Sequence, residues 1–190
     1  MRHTAIAVTA VLCLGLAGCT NPDVTSKPDA NPPAATAAGQ TASDAPAEQP
    51  KQAAKIGDTI TVKGSGDGEQ VAVTIKKVAD PAKPGDEFSA PAQGNRWIGI
   101  QVEIVNTGDA VYADSPGNGM QIADTDGQRF GTTFADISAG PSMTSDAKLS
   151  KGAKALGWIV FEVPKTSKAA TVQFAANSGF ADQTAEWKLQ

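Results

Sequence analysis

The stretch Arg96–Asn106, RWIGIQVEIVN, decides which fold we expect for this chain. Large aliphatic residues recur at every second position within it, namely Ile98, Ile100, Val102 and Ile104. Gln101 and Glu103 fall between them. A period of two places one set of side chains on the buried face of a β-strand and the other set on the opposite face. The stretch therefore predicts a long, half-buried strand.

The same alternation recurs on both sides of this strand. Further alternating runs are Ile60–Val62, Val71–Ile75, Met120–Ile122, Ile159–Val163, Val172–Phe174 and Trp187–Leu189. Turns rich in Gly, Pro and Asp separate them, and Asp124–Gly127 (DTDG) is a hairpin signal. Helical periodicity extends over no more than a turn or so, around residues 176–184. Short strands between such turns predict an all-β, antiparallel sandwich for residues 55–190.

The first 18 residues have the pattern of a signal peptide. A positive start, Met-Arg-His, precedes the apolar run 5–16 (AIAVTAVLCLGL). This run is shorter than the ~20 residues that span a membrane. It ends in Leu16, Ala17, Gly18 and Cys19, which resembles the lipobox of bacterial lipoproteins. We expect cleavage before Cys19 and lipidation of its sulfur, which anchors the chain on the outer face of the cell membrane. Ordinary secretion, with Cys19 unmodified, is the alternative.

Residues 19–54 have the composition of a tether. They are rich in Pro, Ala, Thr, Ser and Asp, and Val24 is their one large aliphatic residue. Such a segment buries too little apolar surface to offset its loss of conformational entropy on folding, so we expect it to be disordered. The sequence thus predicts a signal peptide at 1–18, a lipidated tether at 19–54 and a folded domain at 55–190.

Composition argues against several functional classes. Without residues 1–18, which include the single histidine His3, 15 basic and 20 acidic residues remain, for a net charge of −5. This balance argues against nucleic acid as a partner. Cys13 and Cys19 both precede the folded domain, so that domain contains neither a disulfide nor a cysteine ligand. We therefore expect no cofactor and no enzyme activity. A carboxylate-based hydrolase is the less favoured alternative.

Several segments of the domain match a known pattern, namely 56–59 (IGDT), 102–108 (VEIVNTG), 124–127 (DTDG) with Phe130, 157–165 (GWIVFEVPK) and 187–189 (WKL). In these segments the domain resembles a family of bacterial surface lipoproteins of unassigned function. These have a telokin-like, immunoglobulin-like domain and are related to a small secreted mycobacterial antigen. At 150–152 (SKG) the sequence departs from the proline–glycine turn that is common in the family. The resemblance implies an immunoglobulin-like sandwich and a location outside the cell, and it implies no catalytic residues.

Asp124 and Asp126 are the weak metal candidates. Clustered carboxylates suit calcium, but an EF-hand loop that begins at Asp124 would place Arg129 where glycine is needed and Ala135 where glutamate is needed. The EF-hand interpretation therefore fails. A looser site that includes Asp109, Asp114 or Asp136 remains open, and a plain turn is the alternative.

Two short motifs partly match known signatures, one catalytic and one phosphate-binding. Ser145–Lys148 (SDAK) has the Ser-x-x-Lys spacing of penicillin-binding proteins, but it lies among predicted strands instead of opening a helix. Gly64–Gly68 (GSGDG) precedes a strand and not a helix, so we expect a hairpin turn and no phosphate loop.

Trp97 and Trp158 occupy positions that point to solvent in their predicted strands. Each directly precedes an isoleucine that points into the core, Ile98 and Ile159 respectively, so each tryptophan lies on the opposite face of its strand. If the two strands are neighbours, both indoles lie together on an outer face, as a possible binding surface. The alternative is that a loop, such as residues 79–94, covers them.

These observations favour a membrane-anchored, non-catalytic binding or adhesion domain on a Gram-positive, actinobacterial surface. Envelope protein, wall glycan or a host molecule could be its ligand. An accessory or sensory subunit of an exported complex is a second hypothesis. The sequence does not indicate the oligomeric state.

Overall fold

The structure is a computed structural model that describes residues 54–189. The predicted signal peptide and nearly all of the predicted tether lie outside these residues. The strands are β1 (Ala54–Lys55), β2 (Thr59–Lys63), β3 (Gln70–Ala79), β4 (Asn95–Asn106), β5 (Tyr112–Asp114), β6 (Met120–Asp124), β7 (Arg129–Phe130), β8 (Thr132–Thr133), β9 (Ala147–Leu149), β10 (Lys154–Pro164), β11 (Ala169–Ala175) and β12 (Thr184–Lys188). Two short 3-10 turns cover Pro116–Gly119 and Asn177–Gly179.

The strands form two five-stranded sheets and one small pair. One sheet has the order β1-β12-β11-β6-β7, and the other has the order β2-β3-β4-β10-β8. All pairings between strands are antiparallel except that of β1 with β12. Strands β5 and β9 pair separately. The antiparallel, immunoglobulin-like β-sandwich predicted from the sequence is confirmed.

Strand β4 lies at the centre of its sheet, between β3 and β10. Its alternating isoleucines and valine point into the space between the sheets, and each is fully buried. The facing sheet contributes Phe174 and Trp187, and β10 contributes Phe161. Burying one such side chain stabilises a fold by about 1.5–3 kcal/mol. The Trp187 indole N–H also donates to the Asp58 carbonyl at 3.0 Å, so its polar end is satisfied inside the core.

Asn106, the last residue of β4, is a buried polar junction with 1% of its surface exposed. Its amide Nδ2 donates to the carbonyls of Ala110 and Leu149, each at 2.8 Å. Its Oδ1 accepts from the Gly108 N–H at 2.9 Å. One side chain therefore joins the end of β4 to the segment that enters β5 and to the end of β9.

The turns form largely where glycine and aspartate predict them. Asp124–Gly127 links β6 to β7, and Gly127 adopts a φ of 83°, which suits glycine. The segment 150–152 also forms a turn, closed by the Ala153 N–H on the Ser150 carbonyl at 2.9 Å. Gly152 takes a φ of 80° there. The expected helical turn near residue 176 is one short 3-10 turn at Asn177–Gly179.

Replacing Asn106 by alanine is expected to lower the free energy of unfolding by about 2–4 kcal/mol, because the carbonyls of Ala110 and Leu149 lose this donor and the Gly108 N–H keeps only its bond to Gln70. Urea denaturation followed by circular dichroism measures this loss. Asn118→Ala is the matched control, since the Asn118 side chain is exposed and makes no hydrogen bond within residues 54–189. Equal stability of the two variants would contradict the structural role of Asn106.

Candidate functional site

Trp97 and Trp158 lie on one outer face of the β4–β10 sheet, as their parity predicted. In the antiparallel register Trp97 is opposite Glu162, and Trp158 is opposite Gln101. Both indoles are nevertheless buried, with 4% and 5% of their surface exposed. The hypothesis that they form an exposed binding face is therefore wrong, and the covered alternative describes the structure.

Two connections cover the tryptophans. Ala82 comes from the predicted loop 79–94, and Ile137 comes from a second segment that the sequence did not suggest. The two connections are joined by the bonds Gly85 N–H to Asp136 O at 2.9 Å and Ser138 N–H to Lys83 O at 3.0 Å. Together they form a second, smaller hydrophobic cluster outside the main core.

The two indoles differ in their hydrogen bonding. Trp97 Nε1 donates to the Glu162 carboxylate at 3.0 Å. Trp158 Nε1 is buried without a hydrogen-bond partner among the described residues. It lies beneath the turn that ends at Gly140, where an added Cβ would come within 2.9 Å of this nitrogen. A buried donor without an acceptor is uncommon and calls for an explanation.

A groove of about 500 Å³ lies along the edge of the sheet beside Trp158. We define this edge groove by Ser89 and by residues from 115–118, 132–136, 142–145 and 158–160. A second recess of about 400 Å³ continues it and shares Gly117, Asn118 and Thr132 with it. Strand β8 forms part of the wall, pairing Thr132 and Thr133 with β10.

Gly157 in β10 sets the position of the opposite wall. The Met143 N–H donates to the Trp158 carbonyl at 2.8 Å, and the Trp158 N–H donates to the Pro141 carbonyl at 2.9 Å. This segment lies so close that a Cβ at position 157 would be 2.4 Å from the Met143 Cα. A glycine within a strand often marks such an approach of another backbone.

Exposed aromatic side chains border the groove. Phe134 lines it and is fully exposed, and Phe180 lines the continuing recess with 85% of its surface exposed. Phe88, 90% exposed, directly precedes the lining residue Ser89. The chain thus presents three of its six phenylalanines to solvent at or beside one groove. Exposed aromatic clusters are typical of interaction surfaces.

The candidate calcium ligands have other roles. The Asp124 carboxylate accepts from the N–H groups of Asp126 and Gln128 and from the Ser167 hydroxyl, at 2.7–3.0 Å. The bond from Ser167, followed by the bonds from the turn, lowers the pKa of Asp124. Asp126 is exposed in the turn. Asp124 therefore stabilises the hairpin, and Asp126 brings no second ligand to it.

The aspartates of the looser calcium hypothesis are spread over separate contacts. Asp109 pairs with Lys151 at 2.6 Å, Asp114 accepts from the Ser178 hydroxyl at 2.8 Å, and Asp136 accepts from the Ser142 hydroxyl at 2.6 Å. Residues 54–189 contain no group of three or more potential metal ligands close together. The calcium interpretation is therefore not supported.

The Ser-x-x-Lys motif and the glycine-rich motif both lie in strands and turns. Lys148 is in β9, so it is not one helical turn from Ser145. The Gly64–Gly68 turn directs the N–H of Gly66 to the Glu69 carboxylate at 3.0 Å and the N–H of Ser65 to Asn177 Oδ1 at 2.7 Å. A carboxylate in this position disfavours an anion such as phosphate.

Residues 54–185 match the family described as "Domain of unknown function (DUF4352)". The match covers more than half of the chain. The chain belongs to this family. No curated protein matches the sequence.

Three solved structures show the same fold at low identity. MPT63, a secreted protein from Mycobacterium tuberculosis, is 14% identical with a TM-score of 0.51, and the alignment covers 75% of this chain and 99% of that one. The yjhA protein from Bacillus subtilis is 17% identical with a TM-score of 0.51, covering 72% and 99%. A B. subtilis protein described as a candidate lipoprotein (ycdA) is 14% identical with a TM-score of 0.50, covering 66% of this chain but 39% of that protein. The resemblance inferred from sequence is thereby confirmed.

The described residues contain no helix that is long and apolar enough to span a membrane.

Gly157→Ala is expected to displace the segment 141–143 and to lower the free energy of unfolding by about 1–3 kcal/mol, because the added methyl group meets backbone atoms. Thermal or chemical denaturation measures the loss. Gly131→Ala is the matched control, since nothing lies within 4 Å of its added Cβ. If both variants were as stable as the wild type, the close approach at position 157 would be wrong.

Glu162→Gln is expected to reduce the acid sensitivity of the domain. Hydrogen bonds from Asn95, then Trp97 and the Ala92 N–H, lower the pKa of Glu162. A lowered folded pKa means that the carboxylate stabilises the fold above a pH of about 4.3, and that this contribution is lost as the pH falls through the folded pKa. The variant should therefore unfold at lower urea than the wild type at pH 7, with a difference that shrinks below pH 4.

The control for this pH series is Glu87→Gln, because the exposed Glu87 side chain makes no hydrogen bond or ion pair within the described range. The urea midpoint of Glu87→Gln should equal that of the wild type at pH 7 and at pH 3. A constant deficit of Glu162→Gln from pH 7 to pH 3 would show that its carboxylate charge does not contribute.

Proposed function

We propose that this protein is a lipoprotein of the outer face of the cell membrane, anchored through Cys19, that displays its sandwich as a non-catalytic binding domain. The proposed anchor follows from the Leu16–Cys19 lipobox after an apolar run too short to span a bilayer. Two or more acyl chains on one cysteine hold a protein stably at a membrane, whereas one chain binds marginally. One structural relative is a secreted protein and another is described as a candidate lipoprotein, which supports export.

The observation that supports a binding role is the edge groove with its exposed phenylalanines. Phe134 lines the edge groove and Phe180 lines the continuing recess, and neither ring is covered by other residues of the domain. Burial of these rings against a ligand would remove apolar surface from water, which is favourable. A volume of about 500 Å³ falls in the usual range of about 300–1,000 Å³ for small-molecule sites. We propose that the ligand binds here and that the tether, residues 19–54, presents the groove away from the bilayer.

The groove also favours binding over catalysis. Asp136 is the one titratable residue among its lining residues. General acid–base catalysis in this set of side chains would lack a second titratable partner. We therefore propose that the domain recognises its ligand without altering it.

Cys19→Ser is expected to abolish incorporation of an alkyne-tagged fatty acid and to remove the protein from its normal membrane fraction, because serine offers no sulfur for lipidation. Fractionation and labelling of cells that express the full chain measure both effects. Cys13→Ser is the matched control and should leave labelling and fractionation unchanged, since Cys13 lies within the predicted signal peptide. Unchanged membrane association of Cys19→Ser would refute the anchor.

A further inference from the structure

We propose that the edge groove and its continuing recess bind a neutral oligosaccharide. This inference rests on the proposed binding function and adds the chemical class of the ligand. It follows from the charge, hydrogen-bonding groups and aromatic surfaces that the groove brings together.

The charge of the groove is unusually low for this chain. Its lining residues include Asp136 as their single charged side chain, although 36 of the 190 residues are charged. The Ser142 hydroxyl already donates to that carboxylate at 2.6 Å. A phosphate or an acidic glycan would find no positive charge to pair with, and a strongly basic peptide would find one carboxylate, that of Asp136. A ligand without charge fits this surface best.

The lining is correspondingly rich in neutral hydrogen-bonding groups. Eight serine and threonine residues contribute, together with the amides of Asn118 and Gln121. Several of these side chains make no hydrogen bond to other residues within 54–189, namely Asn118, Gln121, Thr132, Thr133 and Ser145. Hydroxyls and amides both donate and accept, as sugar hydroxyls require. Unused groups of this kind can bind a ligand without breaking an existing bond.

The aromatic residues supply the complementary apolar surface. Phe134 and Phe180 line the two connected recesses, and both project into solvent. A sugar ring carries C–H groups on one face, and the electron-rich face of a phenylalanine ring attracts such groups. A groove with hydroxyl donors and acceptors on its walls and a ring at its rim matches the two kinds of surface that a neutral sugar presents.

Trp158 lines the groove, and its indole N–H is a buried donor that lies beneath the turn at Gly140. Two of the three indole N–H groups have acceptors, Trp97 with Glu162 and Trp187 with Asp58, whereas that of Trp158 has none among the described residues. The turn above it is closed by a long bond of 3.5 Å from the Gly140 N–H to the Ile137 carbonyl. A shift of this turn would let a ligand oxygen accept from Trp158. Ligand binding would then remove the cost of an unpaired buried donor.

The test is an NMR titration of the soluble mature chain that carries Cys19→Ser. The probes are three neutral trisaccharides, namely N,N′,N″-triacetylchitotriose, maltotriose and mannotriose. We expect at least one to shift the Trp158 indole signal and the amide signals of Thr132 and Thr133 in a saturable manner. The Trp187 indole, which lies in the main core, should not shift. Trp158→Phe identifies the Trp158 signal.

Phe134→Ala should weaken the affinity for that trisaccharide by about tenfold, which corresponds to about 1.4 kcal/mol. The substitution removes a fully exposed side chain, so the fold should remain intact. Val111→Ala is the matched control, because Val111 is 57% exposed and does not line the groove. The affinity of Val111→Ala should equal that of the wild type. Binding that shifts other residues, or that Phe134→Ala leaves unchanged, would overturn the proposal, as would the absence of binding to all three probes.

A photocrosslinking residue at position 134, in the lipidated protein in living cells, separates the ligand class from the binding function. We expect an adduct whose mobility changes on digestion with glycan hydrolases. An adduct that glycan hydrolases leave unchanged, and in which mass spectrometry finds peptides of a second protein, would refute the carbohydrate and retain a binding function. No adduct from position 134 in any envelope fraction would refute both. Position 111 serves as the control site for nonspecific capture.

Discussion

The antiparallel pairing of β4 with β10 is the constraint on which the rest of this domain depends. It directs the isoleucines of β4 and Phe161 of β10 into the space between the sheets. The same register places both indoles on the outer face of the sheet, where they would be exposed to solvent if nothing covered them. Because this face carries large apolar rings, the connections near residues 82 and 137 fold over it. The groove lies beside this second layer, where the covering segment meets the short strand β8.

The sandwich could be predicted because its signals are local and periodic. A period of two identifies the long strands, and the Asp-Gly pair identifies the hairpin between β6 and β7. The positions of the two tryptophans in their strands also showed that the outer face of this sheet carries large aromatic side chains, which is unusual for a face that contacts solvent. Their burial could not be decided in the same way, because Ala82 and Ile137 are isolated apolar residues in connections and show no periodicity.

The edge groove was not predictable from the sequence for a related reason. Asn118, Thr132 and Ser145 are common loop residues, far apart along the chain, and nothing in their spacing relates them. Strand β8 has two residues, too few for an alternating pattern. One available signal was Gly157, a glycine inside a strand, where the backbone of residues 142–143 approaches closely. The exposure of Phe134 likewise depends on tertiary structure and not on local sequence.

The position of the groove outside the main core has an evolutionary consequence. Its walls come mainly from connections and from one two-residue strand, whereas the stability of the sandwich comes chiefly from the layer between the sheets. Proteins that are 14–17% identical to this chain share its fold. Substitutions at the rim can therefore accumulate without unfolding the molecule, because the rim contributes little to the layer between the sheets that holds the sandwich together.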